Sequence, residues 1–183
     1  MNEDFQRIYD KLPTLLKDFV EIENTTSTAK EAMRAITKKF QEEANLYFAL
    51  LNIIKKGYLI RDSAFGENKE HVQDYLRHIS SSDISNSDFL VNLQKGKPLV
   101  WSKESEDKTP YFNSVPFPLS ASGVIFPIKR KGNLFGVIEL GSNKIIHPKN
   151  YAEDFGSSNT FRLPLETLSS KINQIADSKI END

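Results

Sequence analysis

The clearest hydrophobic pattern in the chain lies between Ser122 and Asn143. Val124, Ile125, Phe126 and Ile128 form one apolar run, and Leu134, Phe135, Val137, Ile138 and Leu140 form a second. Between them stands Lys131-Gly132-Asn133, in which Gly132 and Asn133 both tolerate the positive φ that a hairpin loop needs. Apolar residues fall on both alternating faces of each run, so both faces are expected to be covered by protein. A hairpin of that kind belongs in the middle of a sheet.

Elsewhere the period changes to that of helices. Phe5, Ile8, Leu12, Leu15, Phe19 and Ile22 alternate in steps of three and four, the narrow stripe of a coiled-coil seam. Pro13 falls inside the stripe and should bend or restart the helix, because it removes a backbone donor and disfavours helix in the residue before it. Two readings stand for this stripe: a helix packed on its own domain, or a homodimer seam. A second helix follows Thr25-Thr26-Ser27-Thr28, with Thr28 and Glu31 at capping-box spacing and Ala32, Met33, Ile36 and Phe40 on one face. Leu46 to Ile54 reads as a strand apolar on both faces except at Asn52, and Gly57 turns it into a second strand, Tyr58 to Phe65.

Lys69 to Ile79 predicts a third helix carrying Val72, Tyr75, Leu76 and Ile79. Asn86 or Ser87 caps a short helix with Phe89, Leu90 and Leu93, ended by Gly96, and Pro98 to Ser102 is the next strand. From Lys103 to Ala121 periodicity disappears: Pro110, Pro116 and Pro118 interrupt it, yet Tyr111, Phe112 and Phe117 are present. A long irregular segment rich in aromatics reads as a lid or pocket wall. A second irregular stretch, Lys144 to Arg162, leads to a last helix from Pro164, where Leu165, Leu168, Ile172 and Ile175 repeat the three-four alternation. The polar tail Ser178 to Asp183 is expected to fray.

Composition narrows the classes. A chain of 183 residues suffices for one domain with flanking helices. The formal net charge of -1 gives no overall attraction to nucleic acid or to anionic membrane, so neither is expected as a partner. The compact basic run Lys129-Arg130-Lys131 falls at the hairpin turn and reads as a solvated turn. Cysteine is absent, which excludes disulfides, thiolate metal sites and cysteine nucleophiles. No apolar run approaches the ~20 residues that span a bilayer, and the amino terminus lacks the order of a signal peptide. A cytoplasmic location is expected.

The order of predicted elements, together with Ser122-Gly-Val-Ile-Phe-Pro127-Ile128 and Gly132-Asn-Leu-Phe-Gly136-Val-Ile-Glu-Leu140, resembles the GAF domain family. Those residues look like that family's strand ending in Pro-aliphatic, a turn glycine, and a Gly-Val-aliphatic-x-Leu strand. Asn173-Gln-Ile-Ala176 is similar to the start of its closing helix. The resemblance covers most of Ser27 to Asp177. It implies an α+β fold: a central antiparallel sheet of about six strands, N- and C-terminal helices on one face, and short helices with a lid loop over a small-ligand pocket on the other. The domain plan is then 1–24 as an N-terminal helix with coiled-coil character, 25–177 as the GAF-like domain with its closing helix, and 178–183 as the tail.

The residues present bear on the activities that the resemblance implies. Bilin carriage needs a cysteine thioether, and the free-methionine-sulfoxide reductases need cysteine nucleophiles, so neither fits a chain without cysteine. Cyclic-nucleotide binders carry an Asn-Lys, Phe, Asp-Glu signature. Asn143-Lys144 stands at the matching place, but Tyr151 with Asp154, or Phe161 with Glu166, follows it only loosely. His71 and His78 are two helical turns apart, about 10 Å, too far to share one metal. Neither a metal nor haem is expected; the cofactor is left unnamed, and an enzyme is not expected.

Asn52 and Glu139 interrupt otherwise apolar central strands, and buried polar groups of this kind must find partners. Each has a structural reading, as a hydrogen bond or ion pair within the fold, and a functional one, as pocket lining. The candidate ligand site comprises Asn52, Arg61, Tyr75, Trp101, Tyr111, Phe112 and Glu139. The candidate dimer interface comprises Phe5, Ile8, Leu12, Leu15, Phe19, Ile22, Leu165, Leu168, Ile172 and Ile175. The expectation is a sensory or regulatory domain for signal transduction, non-catalytic. It would bind an unidentified small molecule under the 103–121 lid and dimerise through its terminal helices. The alternative is a ligand-free dimerisation module or one that docks a signalling protein.

Overall fold

A computed structural model describes residues 3–56, 58–66, 93–102, 122–144 and 159–180. In chain order the elements are α1 (Glu3–Asp10), α2 (Leu12–Thr25), α3 (Ala29–Ala44), β1 (Phe48–Lys55), β2 (Tyr58–Phe65), β3 (Leu99–Ser102), β4 (Ser122–Arg130), β5 (Asn133–Ser142) and α4 (Asn159–Ser178). The strands form one antiparallel sheet in the order β2-β1-β5-β4-β3. Five strands are described, close to the six expected.

The β4–β5 hairpin is central, as its apolar pattern requires, and Val124 to Ile128 and Gly136 to Leu140 are buried. Its turn differs in detail from the expectation. Lys131 (φ 49) and Gly132 (φ 81) take the left-handed conformations, and Asn133 already belongs to β5. A two-residue loop matching the twist of the strands needs positive φ at both of its residues, and register assigns those places to Lys131 and Gly132.

The helices lie on one face of the sheet. Ala49, Leu51 and Ile53 of β1, Val124, Phe126 and Ile128 of β4, and Ile138 and Leu140 of β5 join one core with Phe5, Leu15, Phe19, Met33, Phe40, Leu168 and Ile172. Phe126 stacks on Phe40 with centroids 5.2 Å apart, and Phe40 meets Phe19 edge-on at 5.4 Å, so three layers are joined by one aromatic column. Pro13 separates α1 from α2 by standing in the first turn of α2, where its missing N–H costs nothing. Thr28 and Glu31 form the predicted capping box at the start of α3, which Asn45 ends in the left-handed conformation. Hydrogen bonds from the Ser27 and Thr28 backbones hold the Glu31 carboxyl below its ordinary pKa.

This core corrects the seam reading. Phe5, Ile8, Leu15, Phe19, Ile22, Leu165, Leu168, Ile172 and Ile175 are buried inside the chain's own core, and Leu12 packs against it. A three-four stripe on a short helix is satisfied equally by a sheet or by a second copy, and here the chain's own sheet covers it. Those side chains are therefore not surface available to a second protomer. Two helix boundaries also differ. α4 begins at Asn159 with Pro164 inside it, and the tail does not fray at its start: Ile180 makes a parallel bridge with Thr28, and its carbonyl accepts from Ala29 N at 3.2 Å. Arg130 donates to the Lys179 carbonyl at 2.7 Å, and the Lys179 ammonium caps the carbonyls of Glu23 and Thr26 at the end of α2. The predicted helices over 69–79 and 86–95 lie outside the described residues except at their end, where Gly96 has φ 76.

One irregularity in β2 sets up the site. Leu51 pairs with Ser63, but Asn52 pairs with Arg61, so Asp62 is an extra residue. The Asp62 side chain is 6% exposed and receives two bonds from Arg34 at 2.9 Å and one contact from Lys30 at 3.0 Å, both on α3. Burial pushes its pKa up, but the hydrogen bonds from Arg34 and Lys30 outweigh that and hold it below the ordinary value. A carboxyl lowered in the folded state adds stability above its unfolded pKa and loses it as pH falls through the folded one. Asp62→Asn should cost about 1–2 kcal/mol near neutral pH, since hydrogen bonds to charged groups are lost while Arg34 and Lys30 regain water. Urea titrations from about pH 5 to pH 3 should show a shallower loss of stability in the variant than in the wild type. Equal slopes would contradict the clasp.

Candidate functional site

The face of the sheet away from the helices is where the predicted ligand residues meet. Strand pairing sets out its rows. Phe48, Gly141 and Gly123 stand opposite one another across β1, β5 and β4, and the backbone of Trp101 on β3 pairs with Gly123. The next row is Ala64, Leu50, Glu139, Ile125 and Leu99, and the one after it is Arg61, Asn52, Val137 and Pro127. Leu50, Ile125 and Val137 are buried, so this face is mainly apolar.

Asn52 and Glu139 are the polar interruptions, each 2% exposed. They lie diagonally across the β1–β5 pair, and the Asn52 amide donates to Glu139 Oε1 at 3.2 Å. The bond fixes which way the amide faces and leaves its carbonyl oxygen as an acceptor. Arg61 stands across from Asn52 on β2 and is half-buried. It reaches this face only through the bulge. Ala64 and Arg61 share a face although three residues apart, which a regular strand, alternating every second residue, cannot do. Asp62 goes to the helical layer instead.

Glycines bring the backbones together around this group. A Cβ at Gly136 would lie 2.4 Å from the Asn52 carbonyl oxygen, so β5 can approach β1 there only with glycine. A Cβ at Gly141 would lie 2.2 Å from the ring of Phe48, which lies across the strand. Phe48 thereby fills the row that the two glycines leave bare, and with Leu50 it forms a small second cluster packed by Tyr47 and Ala64.

Of the predicted ligand residues, Asn52, Glu139 and Arg61 come together. Trp101 lies on β3, and Tyr75, Tyr111 and Phe112 are outside the described residues. Sequence reasoning missed Asp62, Gly136 and Gly141. The adjacent charges of Arg61-Asp62 inside a strand were the available sign of a bulge, since a regular strand would place them on opposite faces without a partner for both. Among the described residues no cluster of His, Asp or Glu could hold a metal ion, and no helix is long and apolar enough to cross a membrane.

No protein-family model and no curated protein matches the chain. Solved structures do. The GAF domain of A. aeolicus nlh2, in an inactive state, superposes with a TM-score of 0.58 at 18% identity, covering 92% of this chain and 97% of that one. The GAF domain of the Acinetobacter phosphoenolpyruvate-protein phosphotransferase gives 0.56 at 10% identity, covering 90% and 92%. The chain has a GAF-like fold. A third GAF-fold neighbour, free methionine-R-sulfoxide reductase from Neisseria meningitidis in complex with its substrate, gives 0.59 at 16% identity, covering 92% and 91%. That similarity corrects one expectation. The expectation of a non-enzyme, drawn from the missing cysteine and the lack of a catalytic motif, is not supported, because this neighbour and the reductase from Staphylococcus aureus are enzymes. The lack of cysteine bears on thiol chemistry alone.

The Asn52–Glu139 pair makes a direct prediction. Removing one partner of a buried polar pair leaves the other desolvated, whereas replacing both with apolar groups is often neutral. Asn52→Leu should therefore cost about 2–3 kcal/mol by chemical denaturation. Asn52→Leu/Glu139→Leu should cost less than the sum of the two single changes. Simple additivity would show that the two side chains do not act as a unit.

Proposed function

We propose that the chain is a sensory or regulatory domain that takes a small polar molecule on the sheet face carrying Asn52, Glu139 and Arg61. The observation that carries this reading is the buried Asn52–Glu139 pair on the two middle-most strands of an otherwise apolar face. Apolar residues would hold these strands at least as well, because desolvating a carboxylate is costly. A polar pair in such a place has a use when it also meets the polar groups of a ligand. Glu139 and the Asn52 carbonyl offer acceptors to an ammonium or amide, and Arg61 offers donors to an anionic group. Two GAF-fold neighbours support it, one a GAF domain in an inactive state and another a reductase holding its substrate. The 103–121 segment is the proposed lid.

A thermal-shift screen of amino acids, nucleotides and small aromatic acids tests the reading. A true ligand should raise the melting temperature of the wild type and bind at least about tenfold more weakly to Asn52→Ala, the loss of one or two buried hydrogen bonds. Glu139→Gln, which keeps the shape but removes the charge, should weaken cationic ligands more than neutral ones. If the screen yields no shift while Asn52→Leu/Glu139→Leu is as stable as the wild type, the pair is neither a ligand site nor a structural necessity, and the docking-module reading takes its place.

A further inference from the structure

The topology gathers cations from three separate stretches at one end of the sheet. The β1–β2 connection carries Lys55 and Lys56, the β4–β5 turn carries Lys129 and Lys131, and the approach to β3 carries Lys95 and Lys97. All three lie at the same end: β1 finishes where β5 starts, and the chain before β3 runs along the second half of β4, where Gly96 meets the Lys129 side chain. The third stretch is held in place on both sides. The stem of Lys129 lies over Gly96, within 3.1 Å of where a Cβ would be, and the Gly96 carbonyl accepts from Ser169 on α4 at 3.2 Å. Lys55, Lys56, Lys95, Lys97 and Lys131 are exposed, and among the described residues none of the six forms an ion pair. In a chain of net charge -1, this is charge segregation and not a general excess.

We propose that this row is a docking strip for an extended, acidic segment of a partner protein. The cations follow the ends of the strands in the order β1, β5, β4, β3, and neighbouring strands are about 4.8 Å apart, so the strip is roughly 15–20 Å long. An extended segment of about five or six residues has that length. The shape of the charge decides against a flat anionic surface. The helical layer at this end presents Glu31 in the first turn of α3 and Asp177 near the end of α4, both exposed. A membrane pressed against this end would meet Glu31 and Asp177 together with the lysines, whereas a linear segment can follow the lysines alone. Nucleic acid is disfavoured because the strip is all lysine, a point charge without the planar fork by which arginine stacks on and reads bases. The two neighbouring cations that would broaden it are engaged internally, Arg130 with the Lys179 carbonyl and Lys179 with the end of α2.

The strip lies on turns and not on the ligand face, so it stands or falls independently of the small-molecule reading. Fluorescence anisotropy with fluorescein-labelled hexaglutamate at about 50 mM salt tests it. Lys56→Gln/Lys97→Gln/Lys131→Gln should weaken binding at least about tenfold, and raising the salt to about 0.5 M should abolish it. The control Lys11→Gln/Lys17→Gln/Lys38→Gln, which removes equal charge from the helices, should change binding less than about twofold. Circular dichroism and melting of both variants confirm that they remain folded. The proposal is overturned by absence of binding at low salt, or by equal weakening in the control. It is also overturned if phosphatidylserine vesicles or single-stranded RNA bind more tightly than the peptide and lose that binding in the first variant.

Discussion

The β4–β5 hairpin can be buried on both faces only because its backbone finds partners along both of its edges. On one side β5 pairs with β1 from Gly136 to Gly141. On the other, β3 pairs with β4 only from Ser122 to Ile125 and leaves the rest of that edge open. There the helix completes the accounting. Asn173 accepts from the Lys129 N–H at 2.8 Å and Asp177 accepts from the Lys131 N–H at 2.6 Å. The match is geometric: residues two apart on a strand rise about 6.6 Å, and residues four apart on a helix rise about 6 Å. α4 thus acts as a short edge strand made of side chains, and the same turns that bury Leu168 and Ile172 aim Asn173 and Asp177 at the hairpin.

Anchoring the hairpin in this way fixes β5, and β5 fixes the candidate site. Gly136 lets the two central strands approach at Asn52, and that approach sets the diagonal that brings Asn52 to Glu139. Adjacent strand residues face opposite layers in any case, and the bulge in β2 decides which charge meets which. Arg61 goes to the face away from the helices, and Asp62 goes to α3, where two cations hold it. Neither residue has a good place in a regular strand: the extra residue gives both one. The site is therefore built from backbone geometry first and side chains second.

The apolar pattern made most of this legible. Continuous apolar runs on both faces marked β1, β4 and β5 as central, and Thr28 with Glu31 marked the start of α3 to the residue. Asn52 and Glu139 were visible because they broke those runs. What the pattern could not show depends on pairing between distant segments. Whether Phe5, Phe19 and Ile172 face a sheet or a second copy is a question of what lies opposite them, and periodicity is the same in both cases. The left-handed Lys131 and the extra residue Asp62 follow from register, which a single strand does not contain. The contribution of Gly141 is visible only once Phe48 is known to lie across from it.

Polarity in this fold is sorted by layer, and the sorting separates what each surface can do. The sheet's contribution to the main core is apolar, Ser142 of β5 donates to Asp4 of α1, and α3 meets a charge of the sheet at the bulge in an edge strand. Two connections run from the opposite face to the helices. One passes from Arg61 to its chain neighbour Asp62 and so to α3; the other runs along β5 to the hairpin turn held by α4. Both routes end near the bridge between Thr28 and Ile180, where the start of α3, the end of α2 and the residues after α4 are joined. The fold itself does not decide among uses, since one neighbour is a GAF domain in an inactive state and another a reductase holding its substrate. What this chain brings to it is chemical: a buried Asn52–Glu139 pair on an otherwise apolar face, and no thiol to work with.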